Sequence, residues 1–145
     1  MHIKRSGKWG KAKRCEYGGH WYDSLFEAGY AKDLDLLKKA GEVVDWVPHV
    51  MIPLIVNGET ITKYTIDFVV EMKDGTIEYV ETKGYFDDYA RLRWKLFQAI
   101  VPYIYPGAKC VLVKQGSFKP KRKWPKRKFN TKKTKTVFGQ TFGGH

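Results

Sequence analysis

The chain has 145 residues, the length of one ordinary domain. Its 43% apolar and 15% aromatic content is enough to bury a core, which excludes a globally disordered chain. No apolar run approaches the ~20 residues that cross a bilayer, MHIKRSGKWGKAKRC at the N-terminus lacks the apolar stretch of a signal peptide, and the two cysteines and four histidines lack zinc-site spacing. A protein of the cell interior, with no membrane partner and both thiols free, is therefore expected.

The net charge of +12 is concentrated at the ends. Residues 1–14 carry six Lys or Arg and residues 119–135 carry ten, with no acid in either stretch, which leaves eleven basic and fifteen acidic residues between them. Basic arms on a mildly acidic body point to a polyanion. Trp124 and Phe129 interleave with the charges of KPKRKWPKRKF, which favours nucleic acid over a merely solubilising tail. The expected organisation is a basic arm over 1–15, one folded domain over 16–116 and a basic tail over 117–145.

In chain order, EYGGHWY (16–22) suits a short extended piece. SLFEAGYAKDLDLLKKA (24–40) reads as a helix, with Ser24 as N-cap, Glu27 completing a capping box, and Phe26, Tyr30, Leu34 and Leu37 on one apolar face. Gly41 is a natural stop. VVDWVPHVMIPLIV (43–56) predicts one or two strands, with its prolines at an edge or a break. Asn57-Gly58 and Asp74-Gly75 are turn signals, and they bracket a strand from about Lys63 to Met72. A further strand covers Thr76 to Lys83. DDYARLRWKLFQAIV (87–101) predicts a second helix, capped by Asp87 or Asp88, with Tyr89, Leu92, Leu96 and Ile100 inward and Pro102 ending it. KCVLVK (109–114) is a last short strand. The order predicts an α/β fold in which helices pack on a central sheet.

The segment KYTIDFVVEMKDGTIEYVETKG carries the chemistry. Residues two apart on a strand share a face, so Glu81 and Lys83 project together, and hairpin pairing can bring Asp67 beside them. Two carboxylates suit Mg²⁺ or Mn²⁺, and a neighbouring lysine can orient water and stabilise charge on phosphorus. A solvated strand face with cross-strand ion pairs is the plainer alternative. The apolar neighbours Ile66, Phe68, Ile77, Val80 and Tyr85 argue against it, because charges among core residues are costly unless paired or metal-bound. Glu27, on the first helix, is a candidate for a third carboxylate, although its capping position explains it equally well.

Asp67, Glu81-Thr82-Lys83 and the helical Glu27 resemble the PD-(D/E)XK nuclease superfamily. Within it, YTIDF and VETKG are similar to phage junction-resolving nucleases of the endonuclease I type. The resemblance runs from about Ser24 to Lys114, and Ile66 stands where the family pattern has proline. It implies a restriction-endonuclease-like core of helix, strand meander, helix and strand. It also implies metal ligation by Asp67, Glu81, the main-chain carbonyl of Thr82 and Glu27, with Lys83 assisting the attacking water. On the second helix, Arg91, Lys95 and Gln98 form one polar stripe, either a solvated face or a contact with the cleaved strand. The tail residues Lys121, Arg122, Lys123, Lys126, Arg127 and Lys128 would meet phosphates. The expectation is a Mg²⁺-dependent endonuclease for branched DNA such as Holliday junctions. It would act as a homodimer in phage recombination or repair, in the cytoplasm of the host. The alternatives are a nickase or structure-nonspecific nuclease of the same fold, and a non-catalytic DNA-binding module.

Overall fold

A two-residue Gly18-Gly19 turn, with both glycines at positive φ, joins the first two strands, β1 (Cys15–Tyr17) and β2 (His20–Tyr22). This is the first feature of the computed structural model, which describes residues 13–115. Helix α1 (Leu25–Lys39) follows, capped by Ser24, whose side chain accepts from Glu27 N at 3.1 Å. Glu27 Oε2 in turn accepts from the main-chain N–H of Asp23 at 3.2 Å. Gly41 ends the helix in the left-handed region, with φ +76.

The buried face of α1 is Ala28, Ala31 and Leu34, with Tyr30 and Leu37 packed at its margin. Phe26, expected on that face, is only half-buried beside Gly29 and Lys32. Small residues at 28 and 31 let the helix lie close against the sheet. Asp35 joins three elements, accepting from Tyr17 Oη at 2.6 Å and from Trp46 Nε1 at 3.0 Å.

The main sheet has the order β3-β4-β5-β6. Strand β3 (Val43–Val56) is one continuous 14-residue edge strand. Pro48 and Pro53 are tolerated there because an edge strand has one row of N–H groups unused by the sheet. Asn57 (φ +49) and Gly58 (φ +82) make the tight turn into β4 (Glu59–Met72). Strand β5 (Ile77–Lys83) pairs antiparallel with β4, and β6 (Lys109–Lys114) pairs parallel with β5. The parallel pairing follows from the crossover helix α2 (Asp88–Ile104) between them.

Asp87 caps α2, accepting from Ala90 N at 2.7 Å. Two expectations for α2 are corrected. The helix continues through Pro102 to Ile104, and its buried face is Trp94, Phe97, Ile100 and Val101, while Tyr89 and Leu92 are exposed. A proline near a helix end loses only one hydrogen bond, and four inward residues, two of them large aromatics, outweigh that cost.

Two cores result. One joins α1 and the small hairpin to Phe68, Val70, Met72 and Val80. The other joins α2 to Ile52, Leu54, Tyr64, Ile66 and Tyr79. Ile66 and Phe68 are both fully buried, yet they serve different cores, so the seam between the cores falls at Asp67. Cys15 and Cys110 are free thiols. No helix among the described residues is long and apolar enough to cross a membrane.

Candidate metal centre

The register of β4 and β5 explains the meeting of their functional residues. Phe68 pairs with Val80, the last pair of that ladder towards Lys83. One step further, Asp67 faces the Glu81-Thr82 segment without a main-chain partner. Its carboxylate takes over the acceptor role: Oδ2 receives Thr82 N and Thr82 Oγ1, each at 2.7 Å. Two donors on one oxygen fix the side chain.

Glu81 is 2% exposed, and Oε1 pairs with Lys83 Nζ at 2.5 Å. Alternation along β5 places these two side chains together, as the E-x-K spacing predicts. Burial, then the charge of Asp67, pushes Glu81 up to about 7. Burial alone would lower Lys83, but the hydrogen bond and charge of Glu81, with Asp67 and Glu27 behind them, hold it above its ordinary value. Glu81 Oε2 is buried and makes no satisfactory hydrogen bond. The Tyr64 hydroxyl is the weakest of the influences on this carboxylate. Tyr64 itself is raised by burial and by the Glu81 charge.

Glu27 belongs to the same neighbourhood. Burial, followed by the negative charge of Asp67, pushes it up to about 7, and Lys83 works in the opposite direction. Its capping role and its place beside Asp67 are therefore both real, since the cap geometry sets the direction of its carboxylate.

The oxygen donors of Asp67, Glu81 and Glu27 fit a hard divalent cation. The observation specific to this chain is the orphaned Glu81 Oε2, since a buried carboxylate oxygen without a donor is costly unless a cation supplies its partner. Among the described residues no three His, Cys, Asp or Glu side chains stand as a ready-made ligand group. Asp67 is engaged by Thr82 and Glu81 by Lys83 instead.

Arg91, Lys95 and Gln98 are all exposed on α2, with Arg91 and Gln98 one turn either side of the buried Trp94. Arg91 lies 3.9 Å from Asp88 within its own helix. The leading charges on Glu27, Glu81 and Lys83 come from one another and from Asp67 and Asp23, not from α2. Lys121, Arg122, Lys123, Lys126, Arg127 and Lys128 lie outside the described residues.

Sequence reading missed the donor role of Thr82 and missed His49 entirely. His49 lies on β3 with φ +52, between the pairs Pro48–Phe68 and Val50–Ile66, and so directly across from Asp67. The pairing keeps the same register on both sides, so no residue is inserted there. Its Nε2 is 3.7 Å from Glu27 Oε2, and its ring lies 5.3 Å from that of Tyr22. A non-glycine residue in the left-handed region costs about 1–2 kcal/mol. The only signal in the sequence was an imidazole following proline inside an apolar run.

Residues 7–116 match a family described as "Protein of unknown function (DUF1064)". No curated protein and no solved structure matches the chain.

Proposed function

We propose that this chain, which belongs to the DUF1064 family, is a metal-dependent DNA endonuclease. The observation that carries the reading is the group at the end of the β4–β5 ladder, where Asp67, Glu81 and Lys83 converge and a buried oxygen of Glu81 has no well-formed hydrogen bond beyond the weak influence of the Tyr64 hydroxyl. Their types and spacing, in a helix–meander–helix–strand order, are those of the PD-(D/E)XK superfamily, and this supports a restriction-endonuclease-like assignment.

In this reading Asp67 and Glu81 would hold Mg²⁺ or Mn²⁺, and the Thr82 carbonyl and Glu27 would be further donors. The cation, when bound, supplies Lewis acidity at the scissile phosphate. Thr82 orients Asp67 through its N–H and hydroxyl, and this fixes one carboxylate before substrate arrives. Lys83, kept protonated by Glu81 and Asp67, offers an ammonium to water and to the charge that develops on phosphorus. Glu81 neutralises that ammonium within the site.

Neither the described domain nor the basic ends contain a zinc finger or another base-reading motif, so branched DNA recognised by shape fits better than a fixed sequence. A four-way junction has two-fold symmetry, and cutting it symmetrically calls for a homodimer. Phage recombination or repair in the host cytoplasm is the corresponding setting.

The test is cleavage of four-way junction, nicked, flap and linear duplex DNA with Mg²⁺. Junction cutting by the native chain should fall on the order of 10²–10³-fold in Asp67→Ala and in Lys83→Ala, while junction binding changes little. Persistent cutting by both variants would remove the site assignment. Equal cutting of linear duplex would reject junction selectivity and leave a nonspecific nuclease. Binding with no cutting of any substrate would leave a non-catalytic DNA-binding module.

A further inference from the structure

The mechanism above does not use His49, although it is the one residue in the middle of β3 with a left-handed backbone. The paired neighbours on both sides hold their register, so the left-handed turn here inserts no extra residue and orients the His49 imidazole. It aims at Glu27: Nε2 and Oε2 are 3.7 Å apart, with the carboxylate side chain 14% exposed and the imidazole 34% exposed. That separation is too long for a hydrogen bond. It is close enough for both atoms to reach one cation at ordinary bond lengths of roughly 2.1 Å.

A buried aromatic adjoins the imidazole. Tyr22 is completely buried, its ring packs on that of His49, and its hydroxyl, raised by burial and then by the charges of Asp35, Tyr17 and, least, Glu27, has no side-chain hydrogen-bond partner among the described residues.

We propose that His49 and Glu27 form a second cation subsite beside the Asp67–Glu81 pair, with a nitrogen donor that selects Mn²⁺ over Mg²⁺. Two protein ligands suffice for such a site when water completes the shell. Imidazole suits transition metals, whereas an all-oxygen set suits Mg²⁺. The subsite rests on the nuclease reading only for its purpose, since its donors are independent of whether DNA is cut.

The experiment uses the full chain and Mn²⁺ alone. Binding is counted by calorimetry, and pulsed electron paramagnetic resonance reads ¹⁴N coupling to the bound Mn²⁺. His49→Asn and His49→Gly are the variants, because both residues accept positive φ, and thermal melts of each check that the fold is kept. The native chain should bind two Mn²⁺ and show nitrogen coupling from one imidazole. Both variants should lose the coupling and weaken the second Mn²⁺ at least about tenfold, while Mg²⁺ binding changes less than about twofold. Absence of nitrogen coupling in the native chain, or its persistence in both variants, overturns the proposal. Loss of the second ion in a protein that cuts no DNA leaves the subsite standing and rejects the nuclease. Cutting with no nitrogen coupling does the reverse.

Discussion

Thr82 shows how much of the centre depends on one side chain that is not itself acidic. It gives Asp67 two bonds, one from the main chain and one from the hydroxyl. Thr82→Val removes only the second. It should slow cleavage about 10–100-fold, as loss of a residue that orients a metal ligand does, while changing stability by about 1 kcal/mol. Single-turnover kinetics and urea unfolding on the same variant separate the two effects. Glu27 and Glu81 give a second prediction. Both are pushed up to about 7 by burial and by Asp67, well above an ordinary glutamate. Below about pH 4.5 both carboxyls are protonated in the folded and unfolded chain alike. As pH rises towards 7 the unfolded chain releases its protons first, so the metal-free fold loses stability through that window, on the order of 3 kcal/mol per group at most. Glu81→Gln should flatten that decline in thermal melts, and saturating Mg²⁺ should reverse it above pH 7. At this scale the sequence held the acids and Lys83 in plain view, because strand alternation and desolvation act on residue type alone. It concealed His49, because backbone distortion at one position leaves no periodic trace.

Among the elements, α1 does double service, since the cap that starts the helix also aims Glu27. Ser24→Ala should cost about 1 kcal/mol of stability and also weaken metal binding, whereas an ordinary cap loss would touch stability alone. The turns and caps were legible in advance: Asn57-Gly58, Asp74-Gly75, Ser24, Asp87 and Gly41 all act where their chemistry places them. The faces of the helices were less so. In α2 the alternatives Tyr89/Leu92 and Trp94/Phe97 are both apolar and both periodic, and only the shape of the partner sheet decides between them. Strand β3 reads as one or two strands with its prolines at an edge or a break, and it is one strand because an edge tolerates the missing N–H groups. The seam at Asp67 was not legible either. It requires Ile66 and Phe68 to serve different cores, against simple alternation along a strand.

For the whole molecule, the charge pattern separates chemistry from affinity. The acidic cluster sits in the folded body, whereas most of the positive excess lies at the two ends of the chain. If about six of those end charges meet phosphates, the log–log dependence of DNA affinity on salt should have a slope near −5, nearly the same for junction and duplex. Removing residues 117–145 should flatten that slope and weaken binding to every DNA tested, while Mn²⁺ binding to the remaining chain persists. The central claim is that Asp67 and Glu81 jointly hold a divalent cation. Its most direct test is an anomalous difference map from crystals saturated with Mn²⁺. The account predicts a peak about 2.2 Å from an oxygen of Asp67 and an oxygen of Glu81, with Lys83 displaced from the latter. Saturated crystals with no peak between those carboxylates, and with Glu81 still paired to Lys83, would contradict it.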